Sequence, residues 1–295
     1  MSRFLFSGVN LAITTPFDHQ GKPDLDRLET LLEQYLAAGV SSFVLSSGTG
    51  MHVYLTEKES QSVIARGAKV INGRAKIIVQ ASALLTEDVL NRVRFARDCG
   101  ADGVMVLPPF FEGPTDDEGI IDFYQEIASG GLPIIGYNVP QAVGVAITPD
   151  LLRKLCEMPE FIAVKDSSGD LAQQEALIRT GLPVMNGADA LVPYALFAGA
   201  SGLIWGGANF APRAAVEIAR QAQAGNWSAV QEIWQFIAPA MSLIWQGDYV
   251  QSVYAAAEIL GYGAGQPRKP LARLPQHKLA ILQAALEPLQ AYEKR

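Results

Sequence analysis

Lys165 ends an apolar run, Phe161-Ile162-Ala163-Val164, and is followed by Asp166-Ser167-Ser168-Gly169. With a strand's period of two, Ile162 and Val164 face one side and Ala163 and Lys165 the other. A lysine there has two readings. Its stem can carry the ammonium out to water, or it can be a buried amine whose charged form is disfavoured by desolvation and whose neutral form attacks a carbonyl to give an imine. One unit upstream, Pro133-Ile134-Ile135-Gly136-Tyr137-Asn138-Val139-Pro140 is a second apolar run with a polar tip. If the two runs are adjacent parallel strands, about 5 Å apart, the Tyr137 hydroxyl reaches the space above Lys165 and can shuttle protons there. Otherwise Tyr137 is a rim tyrosine with a packed ring and a wet hydroxyl.

Strand-like runs recur near 8–14, 42–47, 76–82, 103–108, 133–139, 161–165, 182–186 and 202–206, separated by amphipathic stretches. Eight such βα units predict an α/β fold with a parallel sheet, and eight is the number that closes a (β/α)8 TIM barrel. Its helices carry start signals: Asp24 as an N-cap before the stripe Leu25, Leu28, Leu31, Leu32 and Tyr35; a capping box at Thr56 and Glu59; and similar starts at Thr86, Thr115 and Thr148. The barrel, residues 1–224, is expected to carry the active site. Residues 225–295 are then a C-terminal helical extension packed on it, in which Trp234, Ala238, Met241 and Trp245, and later Leu279, Leu282, Ala285 and Leu289, recur at helical spacing. The segment 261–270, rich in glycine and proline, is expected to be a loop.

Composition narrows the function. The chain has 295 residues, a net charge of −7, and 49% hydrophobic against 18% charged residues. That excludes disorder, and with no basic cluster it argues against a nucleic-acid partner. No run approaches membrane-spanning length and the first residues lack a leader-like apolar core, so a soluble protein is expected, with no membrane partner. Cys99 and Cys156 imply no disulfide framework and fit a reducing cytoplasm. No metal is expected, because His19, His52 and His277 lie far apart without a second ligand at helical or hairpin spacing. The pair Asp116-Asp117 sits at a helix start, where the macrodipole accounts for it, and no G-x-S-x-G elbow supports a serine hydrolase. The turn Ser46-Ser47-Gly48-Thr49-Gly50 is weak as a phosphate loop, since no Lys-Ser or Lys-Thr follows it.

Together, YNVP followed about thirty residues later by an apolar run ending KDSSGD, with ITTPFDHQGKPD, LSSGTG, GADGVMVLPPFF and NGADALVPYALFAGASGLIWGGANFAP, resemble the dihydrodipicolinate synthase and N-acetylneuraminate lyase family of pyruvate-dependent aldolases. The likeness runs almost end to end. It implies a lyase that needs no cofactor beyond a covalent imine through Lys165, with Tyr137 moving protons. It implies that Ser47, Gly48 and Thr49 hold the carboxylate of a 2-oxo acid in an anion nest. Gly187 and Ile204 match positions lining the family's pyruvate pocket. The resemblance also implies a homo-oligomer, a dimer or tetramer, with an aromatic side chain of one subunit near its neighbour's site.

Three departures from the family bear on substrate. The synthases usually follow YNVP with a small residue, an arginine for the distal carboxylate of aspartate semialdehyde, and a threonine; here those places hold Gln141, Ala142 and Val143. The synthases' tyrosine pair is Phe110-Phe111, which has no hydroxyl to relay a proton. Their GTTGE turn has become Ser47-Gly48-Thr49-Gly50-Met51, without the relay hydroxyl at its second position. The expected function is therefore a Schiff-base lyase or aldolase acting on pyruvate or a larger 2-oxo acid, with a sugar acid as one candidate. Dihydrodipicolinate synthase is the alternative, and a keto-acid-binding barrel without turnover is the alternative from another class. Replacement of the missing hydroxyls by Ser46, Ser47, Tyr54 or a water would favour the enzyme.

Overall fold

The computed structural model describes residues 4–114 and 116–293. Eight parallel strands close into a barrel: β1 (Gly8–Ala12), β2 (Ser42–Leu45), β3 (Lys76–Gln80), β4 (Gly103–Val106), β5 (Ile134–Asn138), β6 (Phe161–Asp166), β7 (Val184–Asn186) and β8 (Gly202–Trp205). Each strand pairs with the next, and β1 pairs with β8 to complete the ring. Among the described residues, nine helices up to residue 223 lie between or after the strands: α1 (Leu25–Ala37), α2 (Glu57–Ile71), α3 (Thr86–Asp98), α4 (Asp117–Ala128), α5 (Pro140–Val143), α6 (Pro149–Leu155), α7 (Leu171–Ile178), α8 (Val192–Phe197) and α9 (Pro212–Gln223). Three more follow, α10 (Trp227–Trp245), α11 (Tyr249–Leu260) and α12 (Gln276–Glu293). The expected (β/α)8 barrel with a helical C-terminal extension is the observed fold.

The period of two sorts the strand residues into two cores. One residue from each strand fills the barrel interior: Ala12, Val44, Ile78, Met105, Ile135, Ala163, Met185 and Ile204 form one buried cluster, with Phe6 at the end where the strands begin. Their neighbours along the strands, Leu11, Phe43, Val79, Val104, Val164 and Leu203 among them, face outward into the larger core under the helices. The alternation expected along β6 holds for Ala163, Val164 and Lys165 but fails at Ile162. The register slips there, since Ile134 pairs with Phe161 and Ile135 with Ala163, leaving Ile162 as the extra residue of a β-bulge. Ile162 packs against the interior cluster rather than with Val164.

Local signals explain most helix starts. Asp24 accepts the Arg27 N–H, Thr56 and Glu59 form the capping box, and Thr148 accepts the Leu151 N–H. Thr86 instead lies inside α3, whose cap position is Leu85 with no side-chain hydrogen bond. Asp116 caps α4 by accepting the Gly119 N–H, and Thr115 lies outside the described residues. The segment 261–270 is a loop, as its glycines and prolines predict, and α11 before it was not anticipated.

α10 packs along α9 and α12, with Trp234 tilted against Trp205 of β8 at 6.3 Å between ring centroids. The buried Glu293 carboxylate accepts the Arg213 and Ala214 N–H groups at the start of α9, where free amide donors and the helix dipole favour an anion. The extension is thereby joined to the barrel at both of its ends. No helix among the described residues is long and apolar enough to cross a membrane.

Candidate active site

A cavity of about 200 Å³ opens at the ends of the strands where chain direction exits the barrel. Lys165 and Tyr137 form a register pair on β6 and β5. Lys165 is 7% exposed, and its Nζ lies 3.9 Å from the centroid of the Tyr137 ring. The amine thus meets the face of the ring, a cation–π contact when it is charged. Asp166, the next residue, is buried on the other side of the strand. Its carboxylate accepts hydrogen bonds from Asn138 Nδ2 (2.7 Å), the Ser168 hydroxyl (2.9 Å) and Gln174 Nε2 (3.3 Å). Burial pushes the Asp166 carboxyl above its usual range and these bonds oppose the rise. Asn138 also accepts the Ile147 N–H, and its bond to Asp166 ties the tips of β5 and β6 one residue beyond the Lys165–Tyr137 pair.

Six of the seven sequence-derived site residues line this one cavity: Lys165, Tyr137, Gly48, Thr49, Gly187 and Ile204. Gly187 is there for space. A Cβ at that position would lie 2.4 Å from Lys165 Cε and 2.2 Å from Ser167 Oγ, so the lysine stem runs directly over its backbone. Ser47 is the exception, because its hydroxyl is used by the turn itself, donating to the Ile13 carbonyl and accepting the Gly50 N–H, each at 3.0 Å. The other hydroxyls considered as replacements also turn elsewhere. Ser46 Oγ is 2.9 Å from Ser60 Oγ, and Tyr54 is a partly exposed surface residue. Gln141 lines the cavity and donates to the Ser167 carbonyl, whereas Ala142 does not line it. Among the described residues no arginine borders the cavity.

Sequence reasoning missed the roof. Trp245, expected only to pack, lines the cavity together with Tyr249 and Val250 of α11, and its indole lies over Gly169 of the turn after β6. The Tyr249 hydroxyl donates to Asp189 Oδ2 at 3.0 Å, and the same carboxylate oxygen accepts the Gly207 N–H at 2.8 Å. Thr49 Oγ1 and the Tyr249 hydroxyl both rest against the backbone of Gly206. Burial pushes the Asp189 carboxyl up to about 6, against the pull of the Gly207 N–H, the Tyr249 hydroxyl and the charge of Lys165. Burial likewise holds the Tyr249 phenol protonated, well above its usual range. No spacing in the chain links Tyr249 to the barrel motifs.

The description of the dihydrodipicolinate synthetase family matches residues 5–289. The chain belongs to that family. A 4-hydroxy-tetrahydrodipicolinate synthase of Methanoculleus marisnigri is 31% identical over 288 residues, covering 96% of this chain and 99% of the relative. One from Methanospirillum hungatei is 34% identical over 273 residues, covering 90% and 94%. Among solved structures, a dihydrodipicolinate synthase from Acinetobacter baumannii, described as chloride-inhibited and complexed with pyruvate, superposes with a TM-score of 0.91 at 30% identity, covering 96% of this chain and 98% of that one. A structure described as the first monomeric dihydrodipicolinate synthase variant has a TM-score of 0.91 at 28% identity, covering 97% of each chain. The protein is an enzyme of this family, a lyase, as its sequence implies.

The raised Asp189 carboxyl has a consequence for stability. Between its ordinary value of 3.8 and about 6, the folded protein retains a proton that the unfolded chain has released. Stability from this group therefore falls as pH rises through that window and is level above it. Asp189→Asn should remove this part of the slope, seen as a flatter dependence of urea unfolding midpoints from pH 4 to pH 6.5. An unchanged slope would assign the pH dependence to other carboxyls.

Proposed function

We propose that Lys165 forms an imine with pyruvate or a larger 2-oxo acid and that the enzyme makes or breaks the carbon–carbon bond beyond the α-carbon. The observation that carries this reading is the enclosed Lys165 amine set against Tyr137 in a cavity bordered by the Gly48–Thr49 turn. The neutral amine attacks the ketone carbon and the carbinolamine loses water. The resulting protonated imine accepts the electron pair released at the neighbouring carbon. Tyr137 is suited to move protons at the carbinolamine and at the departing or arriving oxygen. The backbone N–H groups of Gly48 and Thr49 are the groups of that turn available to a carboxylate, while Gly187 and Ile204 shape the pocket around it. The reaction so written needs no cofactor beyond the imine.

A second reading, dihydrodipicolinate synthase, is favoured by the names of the relatives. Against it stands the absence of an arginine at the cavity, because the side chain that would pair with a distal carboxylate is Ala142. A bidentate Arg–carboxylate contact shielded from water contributes about 2–4 kcal/mol. We therefore favour a 2-oxo acid whose second part is uncharged, such as a sugar acid fragment. The unpaired Cys99 and Cys156 fit a cytoplasmic setting. The end of α9 at Gln223 and the start of α10 at Trp227 support a division into a barrel of residues 1–224 and an extension of residues 225–295.

We also propose an oligomer, at least a dimer. Phe111 is 79% exposed on a turn where both it and Glu112 have positive φ, and a fully exposed phenylalanine forgoes roughly 1.5–3 kcal/mol of burial. Wild-type sedimentation at micromolar concentration should show more than a monomer, and Phe110→Ser with Phe111→Ser should weaken the assembly. A wild-type monomer refutes it.

Two measurements test the chemistry. Incubation with pyruvate and borohydride, then digestion, should place the reduced adduct on Lys165, and Lys165→Ala should trap none; equal trapping by the mutant would assign the imine to another amine. Condensation of pyruvate with aspartate semialdehyde should run roughly thirty- to a thousandfold below a dihydrodipicolinate synthase in kcat/KM. Equal efficiency would favour the second reading.

A further inference from the structure

We infer that Tyr249 and Asp189 form a proton-accepting chain, which takes the C3 proton of the imine and stands in for the relay hydroxyls that Gly48 and Phe111 do not provide. The inference rests on the imine-forming role of Lys165.

Hydrogen-bond direction carries the argument. Asp189 Oδ2 has no proton of its own to give when ionised, and it accepts both the Gly207 N–H and the Tyr249 hydroxyl. The phenol has one proton, and that proton is directed at Asp189. The phenol oxygen is left with lone pairs only, and Tyr249 itself borders the cavity that holds Lys165. The arrangement leads one way, from the cavity to a carboxylate, unsuited to donating into an anion and suited to receiving a proton.

The chain is closely built. A Cβ on Gly206 would lie 2.0 Å from the Tyr249 hydroxyl and 2.8 Å from Thr49 Oγ1, so both oxygens rest against a backbone with no side chain. Asp189 is fully enclosed, and Lys165 is the cation whose charge it feels. In the proposed step the C3–H bond of the protonated imine breaks, its electron pair becomes the C2–C3 double bond, and the C=N pair returns to nitrogen as the neutral enamine. The released proton binds the Tyr249 oxygen as the Tyr249 proton passes to Asp189. The carboxyl that results is the form which burial favours.

Exchange of the C3 hydrogens of pyruvate for deuterium in D2O, followed by proton NMR, reads this step without a second substrate. Borohydride trapping at Lys165 reads imine formation alone. Tyr249→Phe and Asp189→Asn, the latter keeping an acceptor oxygen but taking up no proton, should each trap pyruvate on Lys165 as wild type does and exchange C3 hydrogens roughly a hundredfold more slowly. The double variant should be no slower than either one. Wild-type exchange rates in either single variant overturn the chain while leaving the imine in place. Loss of trapping together with exchange overturns it too, since the residues would then serve imine formation. Absence of trapping in the wild type overturns the Lys165 reading and the chain with it.

Discussion

The closed ring of strands constrains everything at the site. Along each strand every second side chain points into a space too narrow for more than one layer of large residues at a time. On β5 to β8 the interior layer is Ile135, Ala163, Met185 and Ile204, and the positions two residues further along are Tyr137, Lys165, Gly187 and Gly206. Those four line the cavity. The site is therefore the next layer of the same stack, with two of its four members reduced to glycine so that an amine, a phenol and a ligand fit where side chains would otherwise meet. The hydrophobic layer below it is what keeps the lysine stem from reaching water through the barrel.

The other half of the enclosure comes from outside the stack. α11 brings Tyr249 and Val250 over the open side, and Trp245 closes the edge beside the turn after β6. Because Glu293 fastens the end of α12 to the start of α9, the roof is joined to the strand ends through packed helices and not through a loose arm. Asp189 then supplies a carboxylate at the depth of the amine. Its charge is diluted by two hydrogen-bonded neighbours, the Gly207 N–H and the Tyr249 hydroxyl.

The barrel and its lysine were legible because both depend on local periodicity. Eight apolar runs, the capping residues Asp24, Thr56 and Thr148, and a lysine at the end of such a run are written in consecutive residues. The pairing of Lys165 with Tyr137 follows once β5 and β6 are neighbours. Thr86 misleads because a threonine fits the first helical position as well as the cap. Ser47 misleads because a buried hydroxyl beside free backbone groups bonds to them first, here to Ile13 and Gly50. Tyr249, Asp189 and Gly206 stayed hidden for another reason: they meet through tertiary packing, from three segments as much as sixty residues apart, and no local pattern records that meeting. Trp245 was recognised as an apolar stripe residue, and the same indole does pack; its second surface faces the cavity.

The bulge at Ile162 changes which side of β6 is which. Phe161 lies outward against Tyr124, with ring centroids 5.0 Å apart, and Lys165 lies inward although an even number of steps separates them. In an unbroken strand the two would share a face. The extra residue acts as a phase inverter: what is anchored under the helices upstream and what is presented to the ligand downstream are set independently, through one irregular pairing. Chain-length changes in the loops between helices and strands leave this parity untouched, and so does loss of Ile162, which makes Phe161 and Ala163 the consecutive partners of Ile134 and Ile135; pairing Ile162 in regular register instead would present Asp166 to the cavity and bury the amine among helices. Which residue of β6 faces the cavity thus depends on one irregular pairing as well as on residue types.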